Sequence, residues 1–395
     1  MKAQAAIATG SDWHSALEEA ASQIPMLNDG TAIDLTLLFA SDDYGPQLPD
    51  LVSAVRAKTG GGMLIGCTGQ GIIGPAREVE GEPALSLQVF SLPGATLTPG
   101  RLTADDVNGG MLARIWVDKL GGLKPDEVNA WLFFVDPFTL DGDRVLELLS
   151  TVNKGVPLVG GLASGDYERR TTSVFLNDDV FGDGAVGVAI GGEYTVRTIV
   201  SQGAAPIGET WTITEAEGNV IQTIGMRPAL EVLTETFHAL PVATQERARR
   251  NLLVGLAMDE YKDEFTRGDF LIRNLVGVDQ DSGAIAIGAY PRVGQTLQFQ
   301  IRDPAAADED LKELLIRAAW DLGDQQPVGA LLCACNGRGI GLFGEPDHDA
   351  KALNDRFGAL PVAGFFCNGE IGPVGNRNFL HGFTASIALI LPKQA

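Results

Sequence analysis

Residues 66–75 read GCTGQGIIGP and residues 364–373 read GFFCNGEIGP. The two stretches align without a gap and share the first glycine, the glycine at the sixth place, the isoleucine at the eighth and the closing Gly-Pro. A looser third copy, GGLASGDY at 160–167, keeps the G-x-x-x-x-G spacing, with Gly160 and Gly165 matching Gly66 and Gly71 and also Gly364 and Gly369. A loop written three times points to one supersecondary unit used three times.

Each copy closes the same succession of elements. Residues 33–40, IDLTLLFA, lead through SDDYGPQ to a helical pattern near 48–57 and then to MLIGCTGQG. Residues 130–136, AWLFFVD, lead through PFTLDGD to a helical pattern near 144–153 and then to VPLVGGLASGD. Residues 328–335, VGALLCAC, lead through NGRGIGLFGEPDHD to a helical pattern near 350–357 and then to LPVAGFFCNGE. Short, nearly continuous apolar strands on either side of a helix suit a sheet buried on both faces, paired in parallel through right-handed crossovers. Glycines at the strand ends permit positive φ or close backbone approach, and loops leaving the carboxyl ends of parallel strands are where open α/β sheets bind ligands. The alternative is that these glycines only make tight turns.

Between the units the period shortens. Residues 173–214 and 270–302 read as closely spaced strands with Asn, Asp and Gly turns, which predicts antiparallel meanders. Asp105 and Asp106 can cap a helix burying Val107, Met111, Ile115 and Trp116, and Leu311, Leu314, Leu315, Ala318 and Leu322 stripe another. The expected fold is therefore α/β with mixed sheets, repeated strand-helix-strand units plus antiparallel meanders, in two pseudo-equivalent domains, 1–225 and 226–395.

Composition narrows the classes. A chain of 395 residues, 45% hydrophobic, can bury two ordinary cores. It has no apolar run long enough for a membrane helix, and its N-terminus lacks the apolar stretch of a signal peptide, so a cytoplasmic location is expected. The formal net charge of -22 opposes nucleic acid phosphates and anionic lipid, and neither is expected as a partner. The four cysteines, Cys67, Cys333, Cys335 and Cys367, form no disulfide framework and read as reduced thiols.

The residues also resemble a known family. VGGLASGDY, GAVGVAIGG and GAAPIGETWTIT followed by GNVI look like the N-terminal FIST domain. The 270–303 block FLIRNLVGVDQDSGAIAIGAYPRVGQTLQFQIRD, then CACNGRG and PVAGFFCNGEIGPVGNRNFLHGFTAS, look like the C-terminal FIST domain. The resemblance covers nearly the whole chain, in the free-standing bacterial form without an F-box, kinase, cyclase or chemoreceptor module. It implies a sensory protein that binds a small ligand and passes its signal to a partner such as a histidine kinase or a cyclic-di-GMP enzyme. Family ligands proposed on comparative grounds are amino acids, and some free-standing members are described as haem-binding nitric oxide sensors.

The loops themselves offer candidate ligand contacts. Asn336, Arg338, Asn368 and Glu370 fall at strand ends of the third unit, and Thr68, Gln70, Ser164 and Asp166 fall in the matching loops. Arg338 and Glu370 together would clamp a zwitterion such as an amino acid, or else pair with each other and bind nothing. Asp136 would add an acceptor, unless Pro137 and Thr139 make it part of a turn. A haem would draw its axial ligand from the histidines, with His381 in apolar company at NRNFLHGF and His348 among acids at a helix start, where a solvated or capping role also fits. No haem is required by the sequence. No metal-ligand spacing, nucleophile elbow or Walker loop occurs. A thiol- or acid-dependent enzyme remains an alternative through the cysteines, although Cys333 and Cys335 alternate along a strand and small buried hydrophobes account for most of the four.

Overall fold

A computed structural model of the protein describes residues 1–108, 119, 125–152, 154–166, 168–249 and 251–393. The chain forms two compact units. One comprises Met1–Val200, Leu311–Leu380 and Thr384–Ala395, and the other Ser201–Asp310 with His381–Phe383. Residue 225, the expected boundary, falls inside the second unit, because the C-terminal strands return to sheets begun near the N-terminus.

The first unit contains three six-stranded sheets, each built on one parallel pair. The pairs are Leu35–Ser41 with Met63–Gly69, Ala130–Val135 with Leu158–Leu162, and Gly329–Cys335 with Val362–Cys367. A helix joins the members of each pair: Leu48–Lys58, Gly142–Val152 and His348–Phe357 respectively. The helix Leu48–Lys58 shows why. Pro49 sits in its first turn, where no N–H is needed, Arg56 and Lys58 lie in its last turn, and Leu48, Leu51, Val52 and Val55 form the buried stripe. The apolar runs are buried because both sheet faces are covered, and Leu35–Ser41 and Ala130–Val135 are buried throughout.

The three sheets share one strand order. Next to the first strand of each pair lies an antiparallel strand, Ala84–Ser91, Ala185–Gly192 or Thr384–Pro392. Beyond it comes an edge strand, Lys2–Thr9, Ala95–Leu102 or Tyr194–Gln202. Next to the second strand of each pair lies a hairpin, and that hairpin belongs to a different repeat. Gly71–Gly74 and Arg77–Glu80, which follow the first glycine loop, complete the sheet of the third pair. Val174–Leu176 and Asp179–Phe181, which follow the second loop, complete that of the first. Glu370–Val374 and Arg377–His381, which follow the third loop, complete that of the second. Each glycine loop thus hands the chain from one sheet to the next, and the handing-over closes a cycle.

At the centre, Phe39, Phe134 and Phe365 pack ring against ring, with centroids 5.0 to 5.7 Å apart. The first glycine of each copy has a specific reason. Gly66, Gly160 and Gly364 lie opposite Leu38, Phe133 and Leu332 in their parallel ladders, and a Cβ on any of them would drive into that residue's carbonyl oxygen.

The second unit is a seven-stranded antiparallel sheet in which the long strand Ala204–Glu217 also pairs with Val220–Ile224, closing a barrel. The helix Ala229–Ala239 buries Val232 and Leu233 in one apolar cluster with Ile213, Leu297 and Phe299 of that barrel. The expected meander at 173–214 is therefore divided, its earlier strands joining the three sheets and Ala204–Glu217 the barrel. Of the helical stripes, Leu311, Leu315, Ala318 and Leu322 are buried, with Leu314 partly so. Val107 is buried in Ala104–Asn108, while Met111, Ile115 and Trp116 lie outside the described residues. Among the described residues no helix is long and apolar enough to cross a membrane.

Candidate functional site

The three glycine loops meet. In equivalent positions, Ser164 N–H donates to the Thr68 carbonyl and Asn368 N–H to the Leu162 carbonyl, both at 3.1 Å. The third joint is made through a side chain: Gln70 N–H donates to Ser164 Oγ at 2.7 Å, and that hydroxyl donates to the Phe366 carbonyl. A ring of loops held by hydrogen bonds results. Gly71 and Gly369 belong to it because a Cβ at Gly71 would meet the Phe366 ring and one at Gly369 would crowd Leu162 and Leu380.

Several of the polar residues predicted to face a ligand are hydrogen-bonded within this ring or beside it. Thr68 is fully buried, and its hydroxyl accepts Ser173 N–H at 2.9 Å. Ser164 is fully buried in the joint just described. Asp136 is buried, accepting the Thr139 and Thr172 hydroxyls and, at 3.3 Å, Phe138 N–H. This is turn chemistry extended to a second loop. Asn336 donates to Asn368 Oδ1 at 2.8 Å, and Asn368 donates to the Ala163 carbonyl at 3.1 Å. Gln70 and Asn368 remain exposed on the outer face, with Asp166 half-buried.

Arg338 and Glu370 are both buried, and each is hydrogen-bonded to a partner other than the other. Arg338 is buried and holds Asp349 bidentately, Nε to Oδ2 at 2.6 Å and Nη2 to Oδ1 at 2.8 Å. Burial works to raise the Asp349 carboxyl, but the guanidinium overrides it and holds the group down at about 2. Glu370 is fully buried and accepts the Thr384 N–H at 3.0 Å and hydroxyl at 2.7 Å. Burial outweighs these bonds and pushes its carboxyl up to about 7.

That elevation sets a pH dependence. An acid with a raised folded-state pKa favours folding below its unfolded value, near 4.5, and that contribution is lost as pH rises towards 7. We expect Glu370→Gln to remove about 2 to 3 kcal/mol of the stability difference between pH 4.5 and pH 8. Urea midpoints of both proteins at the two pH values measure it, and parallel pH profiles would refute the assignment.

The two histidines differ in how their settings compare with expectation. His348 is not solvated: it stacks on Phe343, centroids 3.4 Å apart, and meets Asp349 Oδ1 at 2.9 Å. His381 is only 2% exposed and groups with the second compact unit. Cys67, Cys333 and Cys367 are fully buried, and burial pushes all three thiols up, opposite to what a thiolate nucleophile needs. Cys335 is half-buried, with Gly337 N–H on its sulfur at 3.4 Å.

Cavities open where consecutive repeats adjoin. One, of about 390 Å³, lies between the loop after the first repeat's leading strand and the second glycine loop, lined by Asp42, Asp43, Gln70, Asp166 and Arg169 among others. Another, of about 700 Å³, lies at the corresponding place one repeat on, lined by Pro137, Phe138, Glu168, Arg170 and Asn368. Arg170 lies over the Phe138 ring at 5.2 Å. At the third junction the described side chains pack together. There Arg338, Asp349, Phe343 and His348 pack with Glu78, whose Oε1 accepts Ala350 N–H at 2.9 Å, and Glu80 accepts Ile340 N–H at 2.8 Å. Burial, with the Asp349 charge beside it, pushes the Glu78 carboxyl up to about 8. Sequence reasoning found Gln70, Asp166 and Asn368 but missed Glu168, Arg170 and Phe138. The available signal was the charged run ERR directly after the second glycine loop.

Comparison with known proteins agrees with this organisation. The chain matches the FIST N domain over residues 34–227 and the FIST C domain over residues 229–373, and it belongs to the FIST family. FIST domains are sensory, ligand-binding domains of signalling proteins. An uncharacterized protein of Mycobacterium tuberculosis is 40% identical over 393 residues, covering 99% of this chain and 100% of its own. An uncharacterized protein of Mycobacterium bovis is 37% identical over 393 residues, covering 99% of each chain. Among solved structures, a cyanuric acid hydrolase from A. caulinodans aligns over 100% of this chain and 99% of its own, at 10% identity and a TM-score of 0.36, an overlap that supports no argument about fold or activity.

Proposed function

We propose that this protein is a sensor of a small zwitterionic metabolite, an amino acid or a close analogue, seated in the cavity of about 700 Å³ beside the ring of loops. The observation that carries the reading is the pairing of opposite charges there: the Arg170 guanidinium suits a carboxylate, the Glu168 carboxylate suits an ammonium, and Asn368 adds an amide. Phe138 supplies an apolar wall. Ligand binding passes to a signalling partner such as a histidine kinase or a cyclic-di-GMP enzyme. The clamp chemistry first assigned to Arg338 and Glu370 is thereby moved one junction along the cycle, to residues with exposed heads.

The test is calorimetric titration with individual amino acids, backed by thermal shift. One or a few should raise the midpoint, Arg170→Ala should weaken binding at least tenfold, and Glu168→Gln should weaken it less. Retained affinity in Arg170→Ala would overturn the site. An intense Soret band on adding haem, lost in His381→Ala, would replace the metabolite reading with a haem sensor.

A further inference from the structure

Apolar side chains left in solvent are concentrated in one part of this chain. Among the described residues, seven of the eleven large apolar side chains that stand exposed fall in the second compact unit, the smaller of the two. Four of them ride on three turns of the barrel: Met226 is 83% exposed, Tyr261 96%, Tyr290 78% and Val293 63%.

The turns are tied together through the strands they connect. Met226 N–H donates to Thr214 Oγ1 at 3.0 Å, and Gly294 N–H donates to the neighbouring Ile213 carbonyl at 2.8 Å. The Gln295 amide reaches the Ala257 carbonyl at 3.3 Å, and Thr296 N–H donates to the Glu260 carboxylate at 3.0 Å. Segments 225–226, 258–264 and 288–295 therefore crowd one end of the barrel. Exposed aromatic groups gathered in this way mark interaction surfaces, and tyrosine is enriched at their centres.

Charge says what would sit there. Around Tyr261 the chain reads DEYKDE, and Asp259, Glu260, Asp263 and Glu264 are all exposed. Lys262 is engaged with Asp269, which leaves the rim acidic against Arg292 on the facing turn. A second copy of the chain would bring the same acids against each other.

We propose that this end of the barrel is a docking surface for a lysine- and arginine-rich segment of a partner protein. The tyrosine faces take the partner's aliphatic stems and cationic heads, and the acidic rim attracts and orients it. This surface stands independently of the ligand cavity.

A photoreactive phenylalanine analogue placed at position 261 of the full chain, with position 242 as control, tests the proposal in the host cell. We expect a partner adduct at 261, a crosslinked peptide rich in lysine and arginine, and none at 242. With that partner purified, Tyr261→Ala combined with Tyr290→Ala should weaken binding at least tenfold. Asp263→Lys combined with Glu264→Lys should weaken it and flatten its salt dependence. No adduct at 261, an adduct to another copy of this chain, an acidic crosslinked segment, or affinity unchanged in both variants would each overturn the proposal. Circular dichroism of the variants separates lost docking from an unfolded barrel.

Discussion

Gly364→Ala should cost about 4 kcal/mol or more of folding free energy, and Gly66→Ala and Gly160→Ala should each do the same. Ordinarily alanine for glycine in a strand is neutral or favourable, because the unfolded chain loses freedom and the strand gains a side chain. Here the new methyl group would occupy the place of the carbonyl oxygen of Leu332, Leu38 or Phe133 on the adjacent parallel strand. A backbone oxygen cannot rotate aside as a side chain tip can. The strands must part, which takes ladder hydrogen bonds and the packing of Phe39, Phe134 and Phe365 with them. Gly182→Ala is the control: nothing lies within 4 Å of its Cβ position, and it should stay within about 0.5 kcal/mol. Denaturant midpoints compare all four, and a well-tolerated alanine at any of the three strand positions would break the claim that they are equivalent.

Arg338→Met should cost about 3 to 5 kcal/mol, the usual consequence of stranding one charge of a buried pair. Asp349 is fully buried, and its neighbour Glu78 is an acid that burial already holds largely protonated at neutral pH. Without the guanidinium, Asp349 must either remain charged without a counter-ion or take up a proton, and each route costs stability. Replacing both partners, Arg338→Met with Asp349→Leu, should recover most of the loss, since an apolar pair of similar volume leaves no buried charge. Urea unfolding of the single and double variants gives the comparison. A single variant within about 1 kcal/mol of the wild type would show that the pair does not hold this junction.

The strand-helix-strand units and their glycine loops could be read from the sequence because their signals are local: apolar runs, a helical stripe, and glycines at fixed spacing. The exchange of hairpins could not. Ile72 and Ile73 pair with Phe365 and Gly364, far apart along the chain, and nothing in either segment names the other. The same limit explains the site. Arg338 and Glu370 looked like ligand groups because they end strands, but Glu370 begins a hairpin inserted into another sheet and is buried there, and Arg338 finds Asp349 on the following helix. Arg170 sits beyond the loop that seemed to matter, where only the closure of the ring brings it to Phe138 and Asn368.

The cyclic exchange also bears on how the chain is made. During synthesis the first sheet has all its strands once residue 181 has emerged, but the other two must wait for segments beyond residue 370. The hairpin Gly71–Gly74 and Arg77–Glu80 leaves the ribosome early, and its partner strand Val362–Cys367 emerges almost last. A nascent chain thus carries an unpaired edge for most of its translation, the kind of edge that invites aggregation. Truncations that remove the third repeat should therefore fail as a whole rather than release a shortened but sound protein, since two of the three sheets would lose strands together.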